Sequence, residues 1–261
     1  MSAPPLITAP DSALVADLYP SPNIEPRFRG LSPSILVLHY TGLESIERAL
    51  DVLSRPDCKV SCHYVVDVDG RVTQMVAEEM RAWHAGVSSW HGETDINSAS
   101  IGIEIQNPGH ALGYPDFPDA QMQAVTALSL DICRRHGLVP ERVLAHSDIA
   151  PSRKIDPGEK FDWQRLAAEG VGFWLPPEPV DGGDAGLGPG GDGPQVAEAR
   201  GLLARYGYGV EEAGPLDAGL AFVLRAFQLH FRPGRVDGQL DRSTLVTLRR
   251  LVEALPDAAV G

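Results

Sequence analysis

Two histidines and an aspartate in this chain are spaced for zinc chemistry. His39 closes the apolar run Ile35-Leu-Val-Leu38, and His146 closes Val143-Leu-Ala145. Asp156 follows on the stretch His146-Ser-Asp-Ile-Ala-Pro-Ser-Arg-Lys154-Ile-Asp156-Pro-Gly158, which also carries an ammonium. A hydrolytic zinc site takes three protein ligands and keeps one position open for water. Side chains at the ends of buried strands converge on a cleft, so His39 and His146 can share one ion with Asp156 as third ligand. Zn2+ held this way lowers the pKa of a water to about 7, giving hydroxide at neutral pH. Taken singly, the pieces have ordinary readings: His146 caps a turn, and Asp156-Pro157-Gly158 is turn chemistry. Taken together they outweigh those readings.

Each group needs an element to deliver it. Residues 35–41 read as a buried strand, and 45–53 have helical spacing with Pro56 marking the stop,. Residues 63–67 and 71–76 form a hairpin through Val68-Asp69-Gly70, where Asp-Gly suits the turn,. Residues 102–106 are a second buried strand, and 143–145 the strand that delivers His146. Pro118-Asp119 opens an amphipathic helix that runs to about His136 and ends at Gly137,. Strands interleaved with helices predict an α/β domain, a central mixed β-sheet flanked by helices. Glu104 alternates outward from Ile103 and Ile105, away from their face of the strand,.

Five ordered motifs resemble the type 2 zinc-dependent N-acetylmuramoyl-L-alanine amidases, relatives of the peptidoglycan recognition proteins and of the AmpD-type recycling amidases. They are Leu38-His-Tyr-Thr41, Cys62-His-Tyr-Val-Val-Asp67, Trp83-His-Ala-Gly86, Ser100-Ile-Gly-Ile-Glu-Ile105, and His146-Ser-Asp148 through Lys154-Ile-Asp-Pro-Gly158. The resemblance implies His39, His146 and Asp156 as zinc ligands and Glu104 as the catalytic acid/base that moves the water proton to the departing amine. It implies Lys154 beside the developing oxyanion and His84 in contact with substrate near the scissile amide. Asn97 and Arg153 would hold the acidic stem peptide, since a guanidinium fork matches carboxylates. Some phage members carry a tyrosine where this chain has Cys62, which leaves more of the proton transfer to Glu104. The implied reaction cleaves the amide between the lactyl group of (anhydro-)N-acetylmuramic acid and L-alanine, on peptidoglycan or a muropeptide. A non-catalytic peptidoglycan receptor on the same fold typically lacks a zinc ligand, and this chain keeps all three.

The composition changes at the Pro/Gly-rich stretch 176–194, which cannot bury enough apolar surface to fold and reads as a flexible linker,. It divides a catalytic domain, 1–175, from a C-terminal domain, 195–261, of three helices over about 196–206, 217–231 and 241–255,. That segment resembles the small peptidoglycan-binding domain appended to wall hydrolases, through Ala199-Arg-Gly-Leu-Leu203, Ala226-Phe-Gln228 and Val236-Asp-Gly-Gln-Leu-Asp241. A generic bundle serving stability or dimerisation is the alternative. A chain cut after Leu175 is expected to keep its zinc and its activity on soluble fragments.

A net charge of −13 over 261 residues argues against nucleic acid, whose binders neutralise phosphates with a basic patch,. Apolar runs fall short of the ~20 residues that span a bilayer. The N-terminus shows neither a basic leader nor an apolar core, and three cysteines form no disulfide framework,. Both features predict a cytoplasmic protein; a native leader missing from this sequence would make it periplasmic instead. Nothing in the sequence fixes the oligomeric state.

Overall fold

The computed structural model describes residues 5–211 and 213–256. Two short edge strands, β1 (Asp17–Leu18) and β2 (Ile24–Pro26), precede the buried strand β3 (Ile35–Tyr40). Helix α1 (Ile46–Ser54) starts at Ser45, whose hydroxyl caps the first turn by accepting from Arg48 N–H,. The hairpin is β4 (Tyr64–Val66) and β5 (Val72–Gln74), followed by β6 (Met80–Ala82). A single turn, α2 (Ile96–Ala99), runs directly into β7 (Ser100–Ile105). Helix α3 (Asp119–His136) ends at Gly137, whose φ of +65° is the left-handed conformation of a helix stop,. Strand β8 (Val143–Ala145) leads straight into the one-turn helix α4 (His146–Ile149), and α5 (Trp163–Ala168) closes the region. The last three helices are α6 (Pro194–Tyr206), α7 (Ala218–Phe231) and α8 (Arg242–Glu253). Asp217 and Asp241 cap α7 and α8 through the amides of Leu220 and Thr244,.

Six strands form one sheet in the order β1-β5-β4-β7-β3-β8. Only β4 and β5 pair antiparallel, so the sheet is mixed. Its centre is parallel and covered on both faces, which is why β3 reads as an unbroken apolar run. Alternation along β3 separates the two cores. Leu36 and Leu38 pack with Ile101, Ile103, Ile105 and the apolar face of α3, including Met122, Val125 and Leu128. Ile35 and Val37 belong to the other core, shared with Leu144, Ile149 and Trp90 and with Val196, Leu203, Leu220, Phe227 and Leu248 of the C-terminal helices. The three-helix bundle is thus a layer over the sheet face that ends in His39.

The stretch 176–194 departs from the flexible spacer that its composition predicts. Glu178 N–H donates to Thr247 Oγ1, Leu187 exchanges backbone bonds with Leu240, and Gly190 N–H donates to Leu216 O. Backbone pairing, which needs no apolar side chain, lays this Gly-rich segment along the bundle. Among the described residues no helix is long and apolar enough to cross a membrane.

Candidate metal centre

The parallel pairing of β3 with β8 sets Leu38 opposite Ala145, so the next residues, His39 and His146, leave adjacent strand ends together. Asp156 is brought to them by its own backbone, since its carbonyl accepts from Ser147 N–H at 3.0 Å. The three side chains are buried, and one ligand atom from each lies within 4.8 Å of the others. His39 Nδ1 is 2.8 Å from His146 Nδ1 and 3.3 Å from Asp156 Oδ2, and His146 Nδ1 is 3.0 Å from the same oxygen.

Hydrogen-bond partners behind the rings fix where their protons sit. Ser100 Oγ donates to Ile96 O at 2.5 Å, so it accepts from His84 Nε2–H at 3.2 Å. His84 Nδ1 then carries a lone pair and accepts from His39 Nε2–H at 3.0 Å. On the other ligand, His146 Nε2–H donates to the Ala85 carbonyl at 3.2 Å. Both Nδ1 atoms are left bare and aimed at Asp156 Oδ2. Outer partners of this kind are what orient imidazole ligands in metal sites.

Three lone pairs meeting within hydrogen-bond distance, with no proton left to share, repel one another unless a cation lies between them. Nitrogen, nitrogen and carboxylate oxygen are the donor set of a hydrolytic zinc site. Charge placement agrees. Burial and the neighbouring His146 draw the His39 pKa down to about 4, so the ring stays neutral.

His146 and Asp156 open into a cavity of about 400 Å³ lined also by Tyr40, Trp83, Glu104, Arg153 and Lys154. Glu104 stands on the neighbouring strand in register with His39. Its Oε2 is buried and lacks a hydrogen-bond partner. Burial raises its pKa well above the ordinary value, Asp156 pushes the same way, and Lys154 opposes them.

The residues expected to hold substrate divide differently. His84 touches the cavity, but both of its ring nitrogens are committed, one to His39 and one to Ser100, so none is left for substrate. Asn97 does not line the cavity; its Oδ1 accepts from the backbone N–H of His84 and of Ala85 at 3.0 and 2.8 Å. The polar atoms of the 84–87 strap and of Asn97 thus face the two histidines of the cluster, while the His84 ring still borders the cavity. Arg153 does line the cavity, with Nε and Nη2 donating to Val87 O and Nη2 also to Ala85 O at 3.1 Å. Ser100 went unnoticed as a supporting residue, although it opens the same motif as Glu104. Gly102 seats the strap, because a Cβ there would stand 2.6 Å from the His84 ring.

Residues 29–159 match the N-acetylmuramoyl-L-alanine amidase family model, and 192–248 match a peptidoglycan binding domain model. The chain is 40% identical over 232 residues to N-acetylmuramoyl-L-alanine amidase AmiD of Escherichia coli (strain K12), covering 84% of this chain and 82% of that protein. AmiD solved with the substrate anhydro-N-acetylmuramic acid-L-Ala-D-gamma-Glu-L-Lys superposes with a TM-score of 0.72 at 38% identity, over 85% of this chain and 89% of that one. AmpDh3 of Pseudomonas aeruginosa, solved with anhydromuramic pentapeptide, gives a TM-score of 0.70 at 33% identity, over 86% and 92%. The 1,6-anhydro-N-acetylmuramyl-L-alanine amidase AmpD of Citrobacter freundii is 35% identical over 166 residues, 57% of this chain and 87% of that protein. A buried two-histidine, one-aspartate centre at the parallel strand ends, joined to these matches, establishes that the chain belongs to the N-acetylmuramoyl-L-alanine amidase family.

Proposed function

We propose that this chain is a zinc amidase that hydrolyses the bond between the lactyl group of (anhydro-)N-acetylmuramic acid and L-alanine of the stem peptide, in peptidoglycan recycling or turnover. The observation that carries this reading is the meeting of His39 Nδ1, His146 Nδ1 and Asp156 Oδ2 beside a cavity that His146 and Asp156 line together with Glu104 and Lys154. The substrate class comes from the relatives, two of which were solved with anhydromuropeptides.

Zinc, when bound, supplies a water with its pKa lowered to about 7 and a Lewis acid for the amide carbonyl. The protein's own residues do the rest. Glu104 takes the proton as the water oxygen bonds to the carbonyl carbon, and its raised pKa brings it nearer the pH at which it must accept and release,. The same carboxyl then protonates the nitrogen of L-alanine as the carbon–nitrogen bond breaks. Lys154 places its ammonium beside the carbonyl oxygen as that oxygen gains charge. Arg153, on the cavity rim, suits a stem-peptide carboxylate,.

The deciding experiment incubates the zinc-loaded protein with soluble anhydromuropeptides and, side by side, with purified sacculi, and identifies products by mass. Release of peptides with a free L-alanine amine supports the reading; intact substrate in both incubations sinks it. We also propose that residues 1–175 carry the catalysis and that 195–261 serve the wall-derived ligand. The three free thiols, Cys58, Cys62 and Cys133, suit a reducing compartment such as the cytoplasm,. A reporter active only outside the cytoplasm, fused to the natural gene product, would stay silent on that assignment.

A further inference from the structure

We propose that Tyr208 and His230, both from the C-terminal bundle, are positioning residues for the metal ligand His146 and act on it through Asp148. The proposal rests on His146 being a zinc ligand. His146 is the first residue of α4, which spans four residues, too few for an internal ladder of hydrogen bonds,. One backbone bond, Ala150 N–H to His146 O at 3.0 Å, closes the turn at its end, and its start is held by Asp148, whose Oδ2 reaches back to accept from Ala145 N–H at 2.8 Å. The amidase region supplies this carboxylate with no second donor among the described residues. The bundle supplies two: Tyr208 Oη donates to Oδ1 at 2.5 Å, and His230 Nδ1–H donates to Oδ2 at 2.7 Å.

All three side chains are almost fully buried. The His230 ring is clamped between Trp163, at 3.7 Å between centroids, and Phe231, at 3.9 Å, which holds Nδ1 toward Asp148. A carboxylate buried among apolar groups with one donor remaining would turn toward water, release Ala145 N–H and loosen the turn that aims His146. The second support of His146 also leads to the bundle. The Ala85 carbonyl belongs to the loop that continues to Trp90 and His91; His91 N–H donates to Gly207 O at 2.9 Å, and the Trp90 ring packs edge-on against Tyr206 and Tyr208. The bundle is therefore part of the device that holds a ligand in place.

The test uses the full chain and measures zinc affinity by competition with a chromophoric chelator, with the visible spectrum of the cobalt(II)-loaded protein as a second readout. Tyr208→Phe and His230→Leu should each weaken zinc about tenfold and alter the cobalt spectrum. His230→Asn, which keeps an N–H where Nδ1 stood, should restore the original affinity, and His230→Gln should not. Leu248→Ala, which opens the bundle core while leaving both donors to Asp148, should lower stability but not the zinc affinity of the folded protein. Folded Tyr208→Phe and His230→Leu with unchanged affinity and spectrum would overturn the proposal. If either fails to fold, equal affinities in His230→Asn and His230→Gln would overturn it instead. A parent protein that takes up no zinc would overturn the metal reading itself, a result the variants cannot mimic.

Discussion

Glu104 and His39 are cross-strand neighbours in the parallel β3–β7 pair, so a histidine of the candidate metal centre and a carboxyl with an unpartnered oxygen share one face of the sheet. On the proposed mechanism Glu104 carries the proton and does not ligate. Glu104→Gln should retain about one zinc per chain while kcat falls ~10²-fold or more. Lys154→Ala should lower kcat to a similar extent. Steady-state kinetics with metal analysis would show it; full turnover in both variants would move the chemistry to other residues.

His39→Ala and His146→Ala each remove one of three lone pairs and should leave the protein folded but without zinc. Chelator treatment of the parent should abolish hydrolysis, and added zinc should restore it. Hydrolysis at the original rate by fully demetallated protein would rule out a metal mechanism.

The strap behind the ligands yields a separate prediction. Asn97→Ala strips the acceptor from two buried backbone N–H groups and should cost about 1–3 kcal/mol. His84→Ala removes the acceptor that fixes the His39 tautomer and should weaken zinc 10- to 100-fold. If His84 gripped substrate instead, KM would rise while zinc affinity stayed put.

Stability should fall in acid in part through His63. Its Nδ1 accepts from Gly102 N–H at 3.0 Å, its Nε2–H donates to Met80 O at 3.1 Å, and the Arg27 guanidinium lies 3.2 Å away. Burial, then the Arg27 charge, pulls its pKa down to about 3. The unfolded chain titrates this ring near ~6.5 and so binds the proton more readily than the fold does. Stability from His63 is therefore complete above ~6.5 and is lost toward about 3, at about 1.4 kcal/mol per pH unit. Denaturant midpoints at about pH 7 and about pH 5, for the parent and for His63→Asn, should show a shallower loss in the variant. Equal slopes would show that His63 does not titrate as described.

Cutting after Leu175 would uncover Ile149, Ala150 and Trp90, which share a core with Leu203, Tyr206 and Phe227. Sequence alone suggests a self-sufficient first domain; the shared core predicts a large loss of stability and weaker zinc binding in the truncated chain. A truncated protein with the parent's denaturation midpoint and zinc content would refute this.

The long elements were legible because their signals are local. The apolar run of β3, the Asp-Gly turn after Val68 and the stop at Gly137 each declare themselves within a few residues, and the observed bounds follow. The clustering of His39, His146 and Asp156 was legible because two of them follow apolar strand runs and the third shares a motif with His146. Short strands such as β1, β2 and β6 carry too few residues for a period to show,. The polar partners of His84 and Asn97 were not legible, because they depend on how the chain doubles back: the Asn97 bonds to residues 84 and 85 form only once α2 lies against β6. The bundle's union with the sheet was hidden for a related reason: an apolar helix face announces burial without saying against what.

Gly102 lies in the interior of β7, where a strand ordinarily carries a side chain, and the His84 ring fills that room. Replacing it with alanine would leave His39, His146, Asp156 and Glu104 all in the sequence while displacing the imidazole that sets the first of them. Among proteins of this family, then, a tally of metal ligands is an incomplete test for a working enzyme. A chain with every ligand and a larger residue at this glycine has the letters of the site without its alignment, and such a chain would be sorted with the receptors by its chemistry and with the hydrolases by its spelling.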